Sequence, residues 1–350
     1  MAKISVGVFG ATGMVGQTIV QLLDNHPWFE VTELAASENS AGKSYEDVMR
    51  MRWSAGSEIP EYARGMIVKE AGTTPDCDLV LSALDSKVAG PIEEGLAKAG
   101  YAVSSNSRNH RMFDDVPLLI PEINANHINL IKKQQKERGW EGFIVTDPNC
   151  SAMQLCIALK PLQDAFGLES VMITTMQALS GAGYPGVPSM DIMDNVIPFI
   201  GDEEEKLQSE PLKILGSFAK DRIRPANFKI SAQCNRVAVR HGHMETVNVK
   251  LSRKADEDKI IKAFESFKPL KEMGLPSAPE RPIVYMRNEN RPQPKLDANI
   301  ENGMASVVGR LRKCSILDYK FIVLGHNLVR GAAGAAILNA ELLKAKGYVG

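Results

Sequence analysis

Cys150 stands in DPNCSAMQL, between a short apolar run at Phe143–Thr146 and a stretch with helical periodicity at Ser151–Phe166. A thiol at a helix N-terminus meets the positive end of the dipole, which favours the thiolate, and the free amides beside it can stabilise an oxyanion. This is the chemistry of a nucleophile for acyl transfer. Inert packing is the commoner fate of a lone cysteine. Cys77, Cys156, Cys234 and Cys314 are read that way, because Cys156 falls inside the helix and the others abut strand-like runs. Asp147 would raise the thiol pKa if aimed at the sulfur, and it is expected to face elsewhere. His241 and His243, in RVAVRHGHMETV, titrate near neutral pH and could exchange a proton with a thiol. Only one of them need be functional, and Gly242 between them suggests a turn. The pair could instead bind metal, but no third ligand has a recognisable spacing, or could be two exposed loop residues. Arg236 precedes His243 in the same segment and could hold a substrate carboxylate bidentately. Arg111, in SNSRNHRM, and Lys206, in GDEEEKL, are candidates for a phosphate, and Glu203 for an ammonium group.

A second constellation lies at the start of the chain. Gly10, Gly13 and Gly16 form GATGMVG directly after a strand-like run and before a helical one. Glycines there permit a tight turn and let backbone amides approach a pyrophosphate at the helix N-terminus. The spacing is GxxGxxG, a variant of the usual dinucleotide fingerprint, and a ligand-free glycine turn is the plain alternative. The next strand should end near Ala36, where an NAD enzyme usually places an acidic residue for the ribose 2′-OH. Here Ser37, Glu38, Asn39 and Ser40 follow, with Lys43 nearby. Hydroxyls and a lysine suit a 2′-phosphate, so NADP is expected, with Glu38 pointing away. The glycine- and proline-rich SGAGYPGVPS (180–189) reads as a loop that either approaches a flat cofactor ring or merely connects elements.

The elements that must position these residues change character along the chain. Strand-like runs at Lys3–Phe9, Val31–Ala36, Cys77–Ala83, Tyr101–Ser104 and Pro117–Ile120 alternate with helical stretches, including Ile92–Ala99. This predicts an α/β, Rossmann-type doubly wound parallel sheet. Beyond Cys150 the strands lengthen (Ser170–Gln177, Thr246–Leu251, Ala305–Leu311, Tyr319–Leu324) with fewer helices between them. A second α+β domain with a large, mixed or largely antiparallel sheet is expected. Asp202–Glu210 and Leu275–Lys295 read as irregular, the latter as an exposed excursion or intersubunit arm. The alanine- and glycine-rich tail, Arg330–Lys346, reads as a helix that docks closely on another element.

The 350 residues are 44% hydrophobic and 24% charged, which suits a globular chain with a substantial core and excludes overall disorder. Forty-one basic and 42 acidic residues leave a net charge of −1, so a general affinity for nucleic acid or anionic membrane is not expected. Five widely spaced cysteines without CxxC argue against a zinc knuckle or a disulfide framework, and no metal is expected. Reduced thiols, a first strand starting at Ile4 and no long apolar stretch make a cytoplasmic location the expectation.

Taken together, GATGMVGQ, SNSRNHR, PNCSA, TMQALSGAGYPG, NRVAVRHGHMETV and LGHNLVRGAAGAA resemble aspartate-semialdehyde dehydrogenases of the archaeal and fungal branch, over nearly the whole chain. The resemblance implies an architecture like that of glyceraldehyde-phosphate dehydrogenase. Residues 1–149 and 330–350 would form an NADP-binding domain, and 150–329 a catalytic and dimerisation domain. It implies Cys150 as nucleophile, His243 rather than His241 as acid–base partner, and Gln177 orienting the substrate. Arg236 would hold the α-carboxylate and Glu203 the amino group, with Glu204 and Glu205 standing beside it. Arg111, Lys206 and Asn149 would line the phosphate site. Gly10, Thr12, Gly13, Met14, Val15, Ser37, Ser40 and Ser82 would meet NADP, with Gly181, Gly183 and Asn327 near the nicotinamide.

The implied reaction is NADPH-dependent reduction of L-aspartyl 4-phosphate to L-aspartate 4-semialdehyde through a cysteine thioester, feeding lysine, threonine and methionine synthesis. Small-molecule substrates and a homodimer or homotetramer come with it. Malonyl-CoA reductase is similar in scaffold and would share Cys150, His243, the arginine and NADPH, but Asn149 fits the semialdehyde branch. N-acetyl-glutamyl-phosphate reductase resembles the chain less. A reading from another class is a non-catalytic NADP-binding redox sensor using Cys150.

Overall fold

A computed structural model describes residues 2–56 and 58–350. The N-terminal strands are β1 (Ile4–Phe9), β2 (Phe29–Ala36), β3 (Val68–Glu70), β4 (Leu79–Ser82), β5 (Ala102–Ser105) and β6 (Phe143–Thr146). They form one parallel sheet in the order β3-β2-β1-β4-β5-β6. Every residue of β4, β5 and β6 is buried, as a sheet covered on both faces requires. The strand order reverses between β1 and β4, and such a switch opens a crevice at the carboxyl ends of the strands. The Gly10 turn after β1 and the Ala83–Asp85 turn after β4 both line it.

The later strands are β7 (Leu168–Gln177), the hairpin β8 (Ser217–Ala219) and β9 (Arg222–Arg224), β10 (Lys229–Arg236), β11 (His243–Leu251), β12 (Ile283–Met286), β13 (Ser306–Lys313) and β14 (Tyr319–Gly325). Six of them form a mixed sheet in the order β10-β7-β11-β14-β13-β12. Its inner face carries Val171, Ile173, Val247, Val249, Phe321 and Val323, packed with Ala152, Leu155, Leu159 and Leu162 of the Cys150–Phe166 helix in one core. The outer face is covered at one end, where Val307 and Leu324 are buried, and open elsewhere: Met172 is 51% exposed, and Thr174, Met176, Thr246 and Ile322 are half-buried.

The chain end returns to the first sheet. Ala336, Ile337, Leu338, Ala340, Leu342 and Leu343 share a core with Val6, Val8, Ile19 and Leu34. The Ser104 hydroxyl donates to the Ala336 carbonyl at 3.2 Å. Small side chains permit that approach, as the tail composition predicts.

Several expectations need correction. Pro117–Ile120 is no strand; Leu118 makes only an isolated bridge to Thr146. The helix expected at Ile92–Ala99 begins at Ser86, where Asp85 caps it, and runs through Pro91. Asp202–Glu210 is not irregular: Glu203–Ile214 is a helix with three acidic residues in its first turn, where they favour the dipole. Pro211 lies inside it, and that proline hides the helical pattern. Within Leu275–Lys295, Ile283–Met286 pairs in parallel with β13 as the edge strand. β10 carries polar residues at alternate positions, KISAQCNR, and lacks the apolar run by which strands are recognised. The tail helix begins with a wide π-type turn at Val329–Ala333 before Gly334–Ala345.

That wide turn is held by a buried ion pair. Arg330 donates to Glu122 at 2.8 Å, and both side chains are fully buried. Glu122→Gln would leave the guanidinium charge unpaired in the interior. We expect a stability loss of about 3–5 kcal/mol, read from urea unfolding.

Candidate active site

The crevice of the first sheet opens into a cleft of about 870 Å³ that reaches the end of the second sheet. Gly10 has a φ of +78°, and a Cβ there or on Gly16 would collide with neighbouring backbone. The turn is fixed by Gly10 and Ala11 amides donating to the Ala35 carbonyl, and by the Tyr45 hydroxyl donating to Ala11. Gly13 caps the Met14–Leu22 helix without any side-chain bond. The amides at this helix start are therefore free to face a ligand phosphate. Gly10, Thr12, Gly13, Met14, Val15 and Ser37 line the cleft, and so does Glu38, against the expectation that it points away. An extended dinucleotide fits this lining.

Other sequence-predicted cofactor residues fall differently. The Ser82 hydroxyl is fully buried and donates to Glu93, so its side chain does not reach the cleft. Ser40 lies off the lining, its amide donating to the Ser37 carbonyl. Lys43 is tethered to the Asn39 carbonyl. Arg52, which sequence reasoning passed over, lines the cleft beside Ser37 and Glu38. Gly181, Gly183 and Asn327 line its far wall. Asn327 accepts from the Gly242 amide and donates to the Ser180 hydroxyl, joining two loops there.

Cys150 is the first residue of its helix. Asn149 caps that helix, its Oδ1 accepting from the Ser151 and Ala152 amides at 2.9 and 3.2 Å. Gly331, in the π-type turn, lies against the thiol-bearing residue: a Cβ built there would sit 2.7 Å from the Cys150 Cβ. Strand register supplies the neighbours. Arg236 ends β10 opposite Gln177, which ends β7. His243 opens β11 opposite Gly325, one pair from the Met244–Met176 match with β7. Gln177, Arg236 and His243 thus share one end and the inner face of the second sheet. All three are buried behind the cleft wall rather than lining it. Gly181 separates them from the cleft, and a Cβ there would lie about 3 Å from both His243 and Arg236.

The Ala178 amide donates to His243 Nδ1 at 3.0 Å, so the neutral ring carries its proton on Nε2. Nε2 has no partner among the described residues. Burial, with the Arg236 charge adding to it, pushes the His243 pKa down to about 3. His241 diverges from it: its Nδ1 meets the Ser180 hydroxyl, and its ring stacks on His326.

The thiol expectation is overturned. Burial pushes the Cys150 pKa up to about 12, reinforced by Glu203 and opposed by Arg111, Arg236 and Lys206. Desolvation of the thiolate by the surrounding protein outweighs the three cations. Asp147 accepts from Asn106 at 2.7 Å and is not among the charges that act on the Cys150 thiol.

Two carboxylates of the Glu203–Ile214 helix face the cysteine helix. Glu203 accepts from Asn149 and Lys206 at 2.9 and 2.8 Å and from Gln177 at 3.1 Å. Burial acts to raise its pKa, but Lys206, Asn149 and Gln177 outweigh it and hold the carboxyl below its usual range. Glu204 instead accepts from the Cys234 amide, and Glu205 is exposed. Two turns on, Glu210 bonds Arg111 and the Asn149 amide. Arg111, Asn149, Cys150, Glu203 and Lys206 all line the cleft. Glu210 and Gly331 were missed from the sequence. The i,i+7 spacing from Glu203 would have pointed to Glu210 had the segment been read as a helix.

Fold and site define an oxidoreductase class: a nucleotide-type cleft that ends on a half-buried thiol among paired charges. Two family models match: semialdehyde dehydrogenase, NAD binding domain, over residues 5–131, and semialdehyde dehydrogenase, dimerisation domain, over residues 159–330. The aspartate-semialdehyde dehydrogenase of Archaeoglobus fulgidus is 51% identical over 97% of this chain and 98% of its own. That of Saccharomyces cerevisiae is 42% identical over 99% of each. A crystal structure of the Candida albicans enzyme with NADP is similar with a TM-score of 0.90 at 40% identity, covering 99% of each chain. One of aspartate semialdehyde dehydrogenase II from Vibrio cholerae complexed with ASA has a TM-score of 0.79 at 26% identity, covering 98% of this chain and 99% of that one. The chain belongs to the aspartate-semialdehyde dehydrogenase family.

Two outcomes follow from the geometry. In Gly331→Ala the new methyl group must displace Cys150, and a shift approaching 1 Å is worth about 10²-fold in rate; turnover should fall on that order with cofactor affinity retained. Between pH 6.5 and 3 the unfolded chain binds a proton at His243 that the folded chain does not. That stability is therefore whole above pH 6.5 and is lost as pH falls. Urea titrations at pH 7 and pH 5 should show His243→Gln losing about 2 kcal/mol less than the parent over this step.

Proposed function

We propose that this chain is an NADP-dependent aspartate-semialdehyde dehydrogenase, catalysing the reductive dephosphorylation of L-aspartyl 4-phosphate to L-aspartate 4-semialdehyde. The observation that carries the reading is the Cys150 thiol at a capped helix start, on a cleft that also holds the Gly10–Val15 turn, Arg111 and Lys206. The cofactor is NADP. Its phosphates suit the free amides of the Met14–Leu22 helix, and Ser37 with Arg52 supports a 2′-phosphate. Residues 1–149 with 330–350 serve the nucleotide, and 150–329 the substrate and self-association.

In the biosynthetic direction Cys150 sulfur attacks the acyl carbon. The C–S bond forms, the bond to the phosphate oxygen breaks, and phosphate departs onto Arg111 and Lys206. NADPH, when bound, would supply the hydride that reduces the thioester carbon; the C–S bond then breaks to release the semialdehyde, and the Cys150 sulfur takes its proton back from His243. Asn149 holds the helix start still by taking the Ser151 and Ala152 amides, which leaves the Cys150 amide to face the oxyanion. His243 is the acid–base partner, with Nε2 the ring atom left for the reacting oxygen. Taking the thiol proton there requires the ring to give up the Ala178 contact and move its own proton to Nδ1. Arg236 is the group for the α-carboxylate, Glu203 for the amino group, and Gln177 orients the substrate through Glu203. An acyl thioester accepts hydride where a carboxylate does not, which is why a thiol is needed.

The exposed outer face of the second sheet supports self-association as a homodimer or homotetramer. Met190 at 86% and Phe199 at 71% exposure extend the exposed apolar surface of this half. Among the described residues no helix is long and apolar enough to cross a membrane. Five free thiols favour the reducing cytoplasm.

The test is NADP reduction by L-aspartate 4-semialdehyde. The rate should require phosphate and vanish in Cys150→Ser, while NADP still binds by fluorescence titration. Malonyl-CoA with NADPH, run alongside, should give no turnover. Turnover with malonyl-CoA alone, or NADP binding without any turnover, would overturn the assignment.

A further inference from the structure

Glu210 is a buried carboxylate that the reaction above does not use. It lies two turns beyond Glu203 on the Glu203–Ile214 helix and is 2% exposed. Its two oxygens take different partners. Oε1 accepts from Arg111 Nη1 at 3.0 Å, and Oε2 accepts from the Asn149 backbone amide at 2.6 Å. Asn149 is the residue before Cys150, and its side chain caps the Cys150 helix. Arg111 is held on its other side by the Asn106 carbonyl at 2.8 Å, while its Nε has no partner among the described residues. One carboxylate therefore ties the guanidinium on the cleft wall to the backbone that sets the sulfur.

Chemistry gives this tie a purpose. A phosphate leaving or attacking a thioester must sit at a fixed distance from the acyl carbon. Arg111 comes from the first half of the chain and Cys150 from the Cys150–Phe166 helix, so nothing local in sequence sets their separation. A long arginine side chain has many rotamers, and fixing it beforehand removes the entropy cost from anion binding. Burial of the arginine also demands a counter-charge near it. Lys213, further along the helix, donates to the Arg111, Phe113 and Val116 carbonyls and anchors the same loop.

We propose that Glu210 is a positioning residue of the phosphate site, acting through Arg111 and the Asn149 amide to hold the anion contacts in register with the Cys150 sulfur. The proposal rests on Arg111 being a phosphate contact. Glutamine at 210 keeps one acceptor oxygen but presents an amide N–H₂ to a partner that is itself a donor, so one of the two bonds must break.

The experiment is steady-state kinetics of the phosphate-dependent oxidation of L-aspartate 4-semialdehyde with the full-length enzyme. Glu210→Gln should raise the phosphate KM at least tenfold, with the KM for semialdehyde and for NADP within twofold. Arg111→Ala should raise the phosphate KM as well, and the double variant should exceed the larger single effect by no more than twofold. General loosening of the site would instead lower kcat and move all three KM values together, and that result overturns the proposal. Independent effects that multiply in the double variant overturn it too. If Arg111→Ala leaves the phosphate KM unchanged, the underlying assignment of the phosphate site fails. If Arg111→Ala raises it and Glu210→Gln does not, only the role of Glu210 fails. Should Glu210→Gln not fold, Glu210→Asp, which keeps the charge but shortens the reach, is read against the same three KM values.

Discussion

Charges taken out of water must find partners, and this constraint organises the centre of the molecule. Arg111, Arg236 and Lys206 converge on a thiol that is half-buried at the cleft wall. Glu203 and Glu210, on one face of one helix, bond Lys206 and Arg111 directly, while Arg236 donates to the Ala178 carbonyl. The same carboxylates bond the side chain and the amide of Asn149. Charge compensation and placement of the nucleophile are thus one set of contacts. Removing Glu210 takes a counter-charge from the buried Arg111, removing Glu203 takes one from the half-buried Lys206, and either change leaves the helix start less constrained.

The resting chemistry follows from the same enclosure. Desolvation raises the Cys150 pKa and lowers that of His243, so thiol and imidazole are both neutral. A site of this kind keeps its nucleophile protonated until something alters the local field. An α-carboxylate beside Arg236 or a phosphate beside Arg111 would change which cations remain free to face the sulfur. Glycine contributes by omission: Gly331 leaves room for Cys150, and Gly181 leaves room for His243 and Arg236.

Two sheets share this centre without mixing their duties. The parallel sheet presents its strand ends and a helix N-terminus to a nucleotide. The mixed sheet aligns Gln177, Arg236 and His243 at one edge through register alone. The Cys150–Phe166 helix packs its apolar face on the second sheet and points its first turn back at the first. The buried Arg330–Glu122 pair closes the return of the chain, and the wide turn it stabilises brings Gly331 onto the cysteine.

Local patterns were legible wherever chemistry and backbone shape coincide in a few adjacent residues. GATGMVG declared a phosphate-binding turn because only glycine tolerates that approach, and the periodicity of Ser151–Phe166 after an apolar run declared a helix start at Cys150. The alternation of Val247, Val249 and Leu251 declared a half-buried strand. Less was legible where a long-range partner decides the outcome. β10 is a strand because β7 supplies its hydrogen bonds, not because its residues are apolar. Ser82 looked available for a cofactor, yet Glu93, a neighbour through folding, takes its hydroxyl. The helix start at Cys150 could be inferred from sequence, but the desolvation and the charges around the thiol could not. Burial and charge pairing are sums over residues distant in the chain, so the order of residues names the reactive groups and the packing sets their state.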